Sequence, residues 1–420
     1  MRLPPLIPVR QHLPGRPLRD VAAAVRDEIA RSGMMRGIKR GARIGVAVGS
    51  RGVENLRVIV STLVAELRAA GAKPVILPAM GSHGGATPAG QRDVLASLGV
   101  TPKSVGAPVR PSMAVERLGA TAAGVPIFFS REAVKCDRVV VVNRVKHHTD
   151  FRGPVESGLM KMIAIGLGKR RGAATLHSLR VPGLRDHMPE IAREVIRRGR
   201  ILGGVALVEN GYGETVRVAA MLARDIEATE RRLLRLAGRL APRLPFDEMD
   251  VLIVDWMGKE ISGVGMDPAV LGRMRMPGEQ PEFARPRIRN VVALRLTPAS
   301  HGNGLGVGLA EFVPRALANT IDWDVFKANS MTSGFLERAK LPLVMASDRE
   351  AIAAAATVGQ SRGARDLRIV RIRDTSHVGE LWVSPALKPE AERLGLDILG
   401  AARALRFDRR GNCLDITERA

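Results

Sequence analysis

Apolar residues recur at helical spacing through LRDVAAAVRDEIARSG (18–33), and a glycine closes the run. An unbroken apolar stretch, RIGVAVGS (43–50), then predicts a buried strand. The alternation continues with a helix over ENLRVIVSTLVAELRAAGA (54–72), a strand over KPVILPAM (73–80) and a loop, GSHGGA (81–86). TPAGQRDVLASLG (87–99) opens on a Thr-Pro start and predicts a helix, and DRVVVVN (137–143) predicts another strand. Strands alternating with helices imply βαβ units and a largely parallel sheet.

ILGGVALVENGYGETVRVAAML (201–222) reads as two strands around a Gly-Tyr-Gly turn, followed by a basic helix over 228–244. A proline-marked break then leads into DVLIVDWMG, which places a domain boundary near 245. The second half predicts strands at 250–255, 288–296 and 366–374. It predicts helices through GLAEFVPRALA (308–318) and DREAIAAAATVG (348–359). A last segment, 399–412, is read as a helix that could pack back on the first domain. The expected fold is therefore two α/β domains, 1–245 and 246–420, with mainly parallel sheets and an active-site cleft between them.

Composition narrows the function. The 420 residues are 45% hydrophobic and 25% charged, ordinary for globular domains. The formal charge of +23 raises nucleic acid as a partner. The arginines, however, are dispersed among apolar helix positions and lack neighbouring aromatic residues, so no specific nucleic-acid site is expected. Attraction of small anions fits better. Two cysteines exclude a disulfide framework and a Cys-rich zinc site. No signal peptide and no apolar run of membrane-spanning length is found, so a cytoplasmic protein with no membrane partner is expected.

In parallel sheets, ligands gather beyond the carboxyl ends of the strands. Three such exits are polar or glycine-rich: GSRG (49–52), GSHGG (81–85) and NRVKHHTDFRGP (143–154). Four of the eight histidines, His83, His147, His148 and His301, fall in or beside glycine-rich segments after strands. A single histidine is ordinarily a surface or core residue. Histidines clustered at strand exits suit proton transfer or metal binding. Lys161 stands between Met160 and Met162 in an apolar helical run, where a lysine could snorkel or serve as a covalent attachment point. GSRG and GSHGG resemble anion-binding turns in mechanism, though neither is a Walker A loop or a dinucleotide fingerprint. Two further glycine-rich loops, GKEISGVGMDP (258–268) and SHGNGLGVGLAEF (300–312), follow strands of the second half.

The order Arg51, GSHGG with His83, His148, Lys161 and His177 resembles the nickel-pincer nucleotide-dependent lactate racemase family. The likeness is best over 45–180, and the loops of the second half resemble a divergent branch of cofactor-dependent isomerases. The resemblance implies a racemase or epimerase of a 2-hydroxy acid, acting by hydride transfer to and from a lysine-tethered nickel-pincer nucleotide. Carried over residue by residue, Lys161 would hold the nucleotide covalently and His177 would be the nickel ligand, at a spacing that fits the family. His83 and His148 would be the acid and base, with His147 the alternative to His148. Gly81, Ser82, Gly84 and Gly85 are cofactor-binding candidates. Arg51 would receive the substrate carboxylate and Lys259 would contribute from the second domain. The chain departs from the pattern in a longer segment before Lys161 and in VGSRG, which replaces an Asp-containing stretch. The implied partners are a small anionic 2-hydroxy acid and the cofactor-building proteins. A metal-dependent lyase or hydratase on the same scaffold, and a non-catalytic nucleotide- or anion-binding protein, are the alternative readings.

Overall fold

A computed structural model describes residues 3–50, 52–358, 363 and 365–414. Arg51 lies outside the described residues. The chain divides into two compact units, residues 14–241 and residues 1–13 with 242–420. Among the described residues no helix is long and apolar enough to cross a membrane.

Residues 14–241 are built on a five-stranded sheet. Lys73–Pro78, Arg43–Val48, Arg138–Arg144 and Ile201–Glu209 lie side by side and parallel; Thr215–Leu222 closes one edge antiparallel. Both faces of the central strands are covered, which is why their sequences run apolar without alternation. On one face Ile44, Val46, Val48, Val140, Val142 and Val205 pack with helix residues Val25, Ile29, Ile59 and Leu63. On the other face Gly204 leaves room for a helix to approach closely: a Cβ there would lie 2.5 Å from Leu159 Cδ1. That helix, Leu159–Lys161, runs into a π-helical turn, Met162–Gly166, and then into the helix Lys169–Ser178. The single helix suggested by the apolar spacing is therefore interrupted, and Lys161 sits just before the π turn, a feature common at functional sites.

The second unit holds an eight-stranded sheet. Leu343–Met345, Phe312–Pro314, Arg287–Leu296, Glu248–Met257 and Ile369–Ile372 are parallel in that order. Glu380–Val383, Ile7–Arg10 and Asp397–Ile398 continue the sheet antiparallel. Val251 and Ile253 face one core while Leu252 and Val254 face the other, so this sheet too is covered on both sides.

Three local readings differ from the structure. GLAEFVPRALA is not one helix: Phe312–Pro314 is a strand paired with Val292 and Leu343–Met345, and only Arg315–Ala318 is helical. Pro314 ends that strand, and its missing N–H cannot continue a ladder. Residues 399–412 form no helix. They run beside Ile7–Arg10, with Leu399 N–H donating to Pro8 O and Leu6 bridging Arg403, within the second unit. The first thirteen residues likewise belong to the second unit, because Ile7–Arg10 is a strand of its sheet.

Candidate functional site

Three loops converge beyond the carboxyl ends of the parallel strands in the 14–241 unit. They bound a cleft enclosing about 780 Å³ of space, part of it open to solvent. Gly49 and Ser50 come from the first loop and Gly81, Ser82 and His83 from the second. Arg144, Lys146, Ser157, Lys161 and His177 come from the third and the helices that follow it. No carboxylate is among the lining residues, so the wall is positively charged and suited to an anion.

Gly81, Gly84 and Gly85 all have left-handed backbone, with φ of 59°, 65° and 63°. This lets the chain turn sharply after Lys73–Pro78 and bring His83 to the cleft. Gly81 and Ser82 line the cleft, whereas Gly84 and Gly85 do not. Gly84 is pressed against the next helix instead: a Cβ on Gly90 would lie 2.0 Å from Gly84 O. The His83 ring is exposed, and its Nδ1 is hydrogen-bonded to Ser50 Oγ. A hydroxyl can donate or accept, so this contact tolerates either neutral tautomer of His83.

The two adjacent histidines diverge. The His147 ring turns toward the helix Ile226–Leu240, where a Cβ on Gly238 would meet its Nε2 at 2.6 Å, and its Nδ1 pairs with Glu156 Oε2 at 3.1 Å. His148 is buried, 7% exposed, against the Phe151 ring, with its Nε2 2.9 Å from Lys161 Nζ. Glu156, itself buried, organises this loop. It accepts from His148 N–H (2.6 Å) and Gly153 N–H (3.2 Å) as well as from His147.

The Asp150 N–H donates to His148 Nδ1 at 3.1 Å, and the Asp150 carboxylate lies 3.8 Å from the same nitrogen. The hydrogen between His148 Nε2 and Lys161 Nζ follows the ring tautomer. Burial holds the His148 imidazole well below its usual range, and the nearby Lys161 charge acts in the same direction. His177, in the last turn of Lys169–Ser178, is lowered by the same two causes and is neutral at pH 7, leaving a ring lone pair for a metal.

Lys161 is held from below. Glu230, buried in the helix Ile226–Leu240, accepts from the Met160 N–H at 2.9 Å and so caps the short helix that carries Lys161. Its other oxygen, Oε1, is buried without a hydrogen-bond partner, and burial pushes the carboxyl up to about 7. Gly158 permits the approach, since a Cβ there would lie 2.4 Å from the carboxyl. Ser157 Oγ is 3.4 Å from Lys161 Nζ, and Arg144 is fixed by the buried Glu209.

Lys259 belongs to the other unit, where its Nζ donates to Gly263 O (2.7 Å) and Asn329 Oδ1 (2.9 Å). His301, with a left-handed backbone, is exposed in that same unit. Among the described residues no three His, Cys, Asp or Glu side chains gather to hold a metal by themselves. Ser50, Glu156, Glu230, Gln91 and Lys169 were not singled out by the sequence. None of them stands in a motif of its own.

Residues 15–186 match the family described as lactate racemase N-terminal domain. Among solved structures, the chain is similar to the lactate racemase apoprotein from Thermoanaerobacterium thermosaccharolyticum. The TM-score is 0.49 and the identity 14%, over 79% of this chain and 85% of that one. No curated protein matches the sequence.

Proposed function

From a chain whose residues 15–186 match the lactate racemase N-terminal domain family, we propose an isomerase that racemises or epimerises a small anionic 2-hydroxy acid. The observation that carries this reading is one cleft lined by His83, Lys161 and His177, with His148 in hydrogen-bond contact with Lys161.

The residues fit a lysine-tethered nickel-pincer nucleotide. Covalent attachment at Lys161 would use its uncharged amine, the nucleophilic form of a lysine. His177 offers a neutral imidazole that would hold the metal, and the nucleotide would supply the other ligands. Ser82 and the backbone at Gly81, with Arg144 and Lys146, supply a carboxylate-free wall for a phosphate or a substrate carboxylate. Such a cofactor, when bound, supplies a hydride acceptor, which side chains cannot provide.

The chain's own part is proton transfer and orientation. His83, held by Ser50, takes or returns the substrate hydroxyl proton at a ring nitrogen. His148 is the second acid–base group. Its Nε2 becomes available to substrate once Lys161 is engaged elsewhere. Arg51 and Lys259 are proposed substrate contacts, and proteins that build the cofactor are proposed maturation partners.

The test is to load the protein by co-expression with cofactor-building enzymes and incubate it with single enantiomers of a panel of 2-hydroxy acids. Chiral chromatography is expected to show both enantiomers from at least one substrate, and none with a His83→Asn variant. A protein carrying nickel and a modified Lys161 that interconverts no hydroxy acid would overturn the reading and leave binding alone.

A further inference from the structure

Lys169 is out of place as a core residue. It starts the helix Lys169–Ser178 with φ of 55°, a left-handed conformation rare for a lysine, and its side chain is 1% exposed. A buried charge is unfavourable unless it is well paired, and an apolar side chain would fill the same space without that penalty. The pairing is specific. Nζ donates to Pro78 O, the last carbonyl of the strand leading to His83, and to Gln91 Oε1 at 3.0 Å.

Gln91 is fully buried in the helix Pro88–Ser97, and its amide can face only one way. Its oxygen accepts from Lys169, and its Nε2 donates to Gly81 O (3.0 Å) and His83 O (3.3 Å). These two carbonyls bracket the turn that presents His83. The same turn is braced by Gly81 N–H, which donates to Gly166 O at 3.3 Å, at the end of the π turn that follows Lys161. The loop bearing His83 and the segment bearing Lys161 are thus tied together through buried polar contacts, although His83 itself is exposed.

We propose that Lys169 and Gln91 are positioning residues for His83: the buried ammonium orients the Gln91 amide, which clamps the carbonyls of Gly81 and His83 and fixes the His83 ring against Ser50. This rests on the reading of His83 as an acid–base group. Neither residue touches the cleft, so neither is catalytic. Burial lowers the Lys169 ammonium to about 8, so it is still mainly charged at pH 7 and the clamp is intact there.

Two variants separate positioning from plain core packing. Gln91→Glu keeps an acceptor for Lys169 but has no hydrogen for the Gly81 and His83 carbonyls. Lys169→Met keeps the Gln91 donors but releases the amide. Ring-nitrogen NMR of histidine-labelled protein, with the His83 signal assigned by His83→Asn, reads the position of the imidazole without any cofactor. Both variants are expected to shift the His83 signals while leaving those of His187 in place. In loaded protein, kcat is expected to fall by about tenfold to a hundredfold with little change in KM, the pattern of a misplaced reacting group. Unchanged His83 signals in either cooperatively folding variant would overturn the proposal and make the pair core residues only. If the signals move but His83→Asn still racemises substrate, the clamp stands and the acid–base reading of His83 falls.

Discussion

Lys161 Nζ and His148 Nε2 lie 2.9 Å apart, and the Asp150 N–H occupies the other ring nitrogen of His148. Burial disfavours charge on the His148 ring, and the Lys161 charge acts in the same direction. Covalent attachment at Lys161 needs its uncharged form, so the proposed role predicts an amine that reacts readily at neutral pH.

Labelling of the apoprotein with trinitrobenzenesulfonate at pH 7 should therefore modify Lys161 faster than the exposed Lys73, by roughly tenfold. His148→Phe should bring Lys161 back to the rate of Lys73. Peptide mass mapping over a time course measures both rates. Equal rates in the wild-type protein would show that Lys161 is charged.

The two adjacent histidines should separate cleanly. His148→Gln is expected to lower racemisation by about 10²–10⁴-fold, the usual contribution of a general acid–base group. His147→Gln should leave activity within a few-fold but cost about 1–2 kcal/mol of stability, through loss of the Glu156 contact. Steady-state kinetics and urea unfolding on the two variants check this. Equal activity losses would mean that the loop acts as a unit.

Glu230 should make stability depend on pH. Its carboxyl is raised from 4.5 to about 7 by burial, so between these values the folded state holds a proton that the unfolded state has lost. Its contribution is present below pH 4.5 and is lost as pH rises through 7. His148 and His177 are lowered in the folded state, so their contribution is present above 6.5 and is lost as pH falls. Comparing wild type with Glu230→Gln isolates the carboxyl: the stability of the variant relative to wild type should increase from pH 5 to pH 8. Urea midpoints at the two pH values measure it, and a constant difference would show that Glu230 titrates as an ordinary carboxyl.

Gly158→Ala should disturb the same place from the other side. Its Cβ would lie 2.4 Å from the Glu230 carboxyl and force the cap or the Lys161 helix to move. The expected cost is about 1–3 kcal/mol by chemical denaturation, with slower labelling of Lys161 in the same protein. Wild-type stability in the alanine variant would show that the helix has slack.

The sequence made the frame of this site legible because its signals are local. Apolar runs marked the strands Arg43–Val48, Lys73–Pro78 and Arg138–Arg144, and the polar segments after them all reach one cleft. What was not legible depends on contacts distant in sequence. Glu230 meets Met160 across seventy positions, and Lys169 meets Gln91 across seventy-eight. No periodicity announces a lone buried carboxyl or ammonium. Likewise the pattern of Phe312–Pro314 could not show that a strand would find room beside Arg287–Leu296, because pairing is decided by the sheet rather than by the segment. The adjacent histidines were ambiguous for the same reason: only the fold turns His147 toward Gly238 and His148 toward Lys161.

The central claim is that Lys161 carries a nickel-bearing nucleotide. It is tested most directly by intact-protein mass and metal analysis after co-expression with cofactor-building enzymes, on the wild type and on Lys161→Ala. The account predicts a mass above that of the chain, located at Lys161 by peptide mapping and accompanied by nickel, with both absent from the Lys161→Ala variant. A wild-type protein recovered at the mass of its sequence, without nickel, would contradict it.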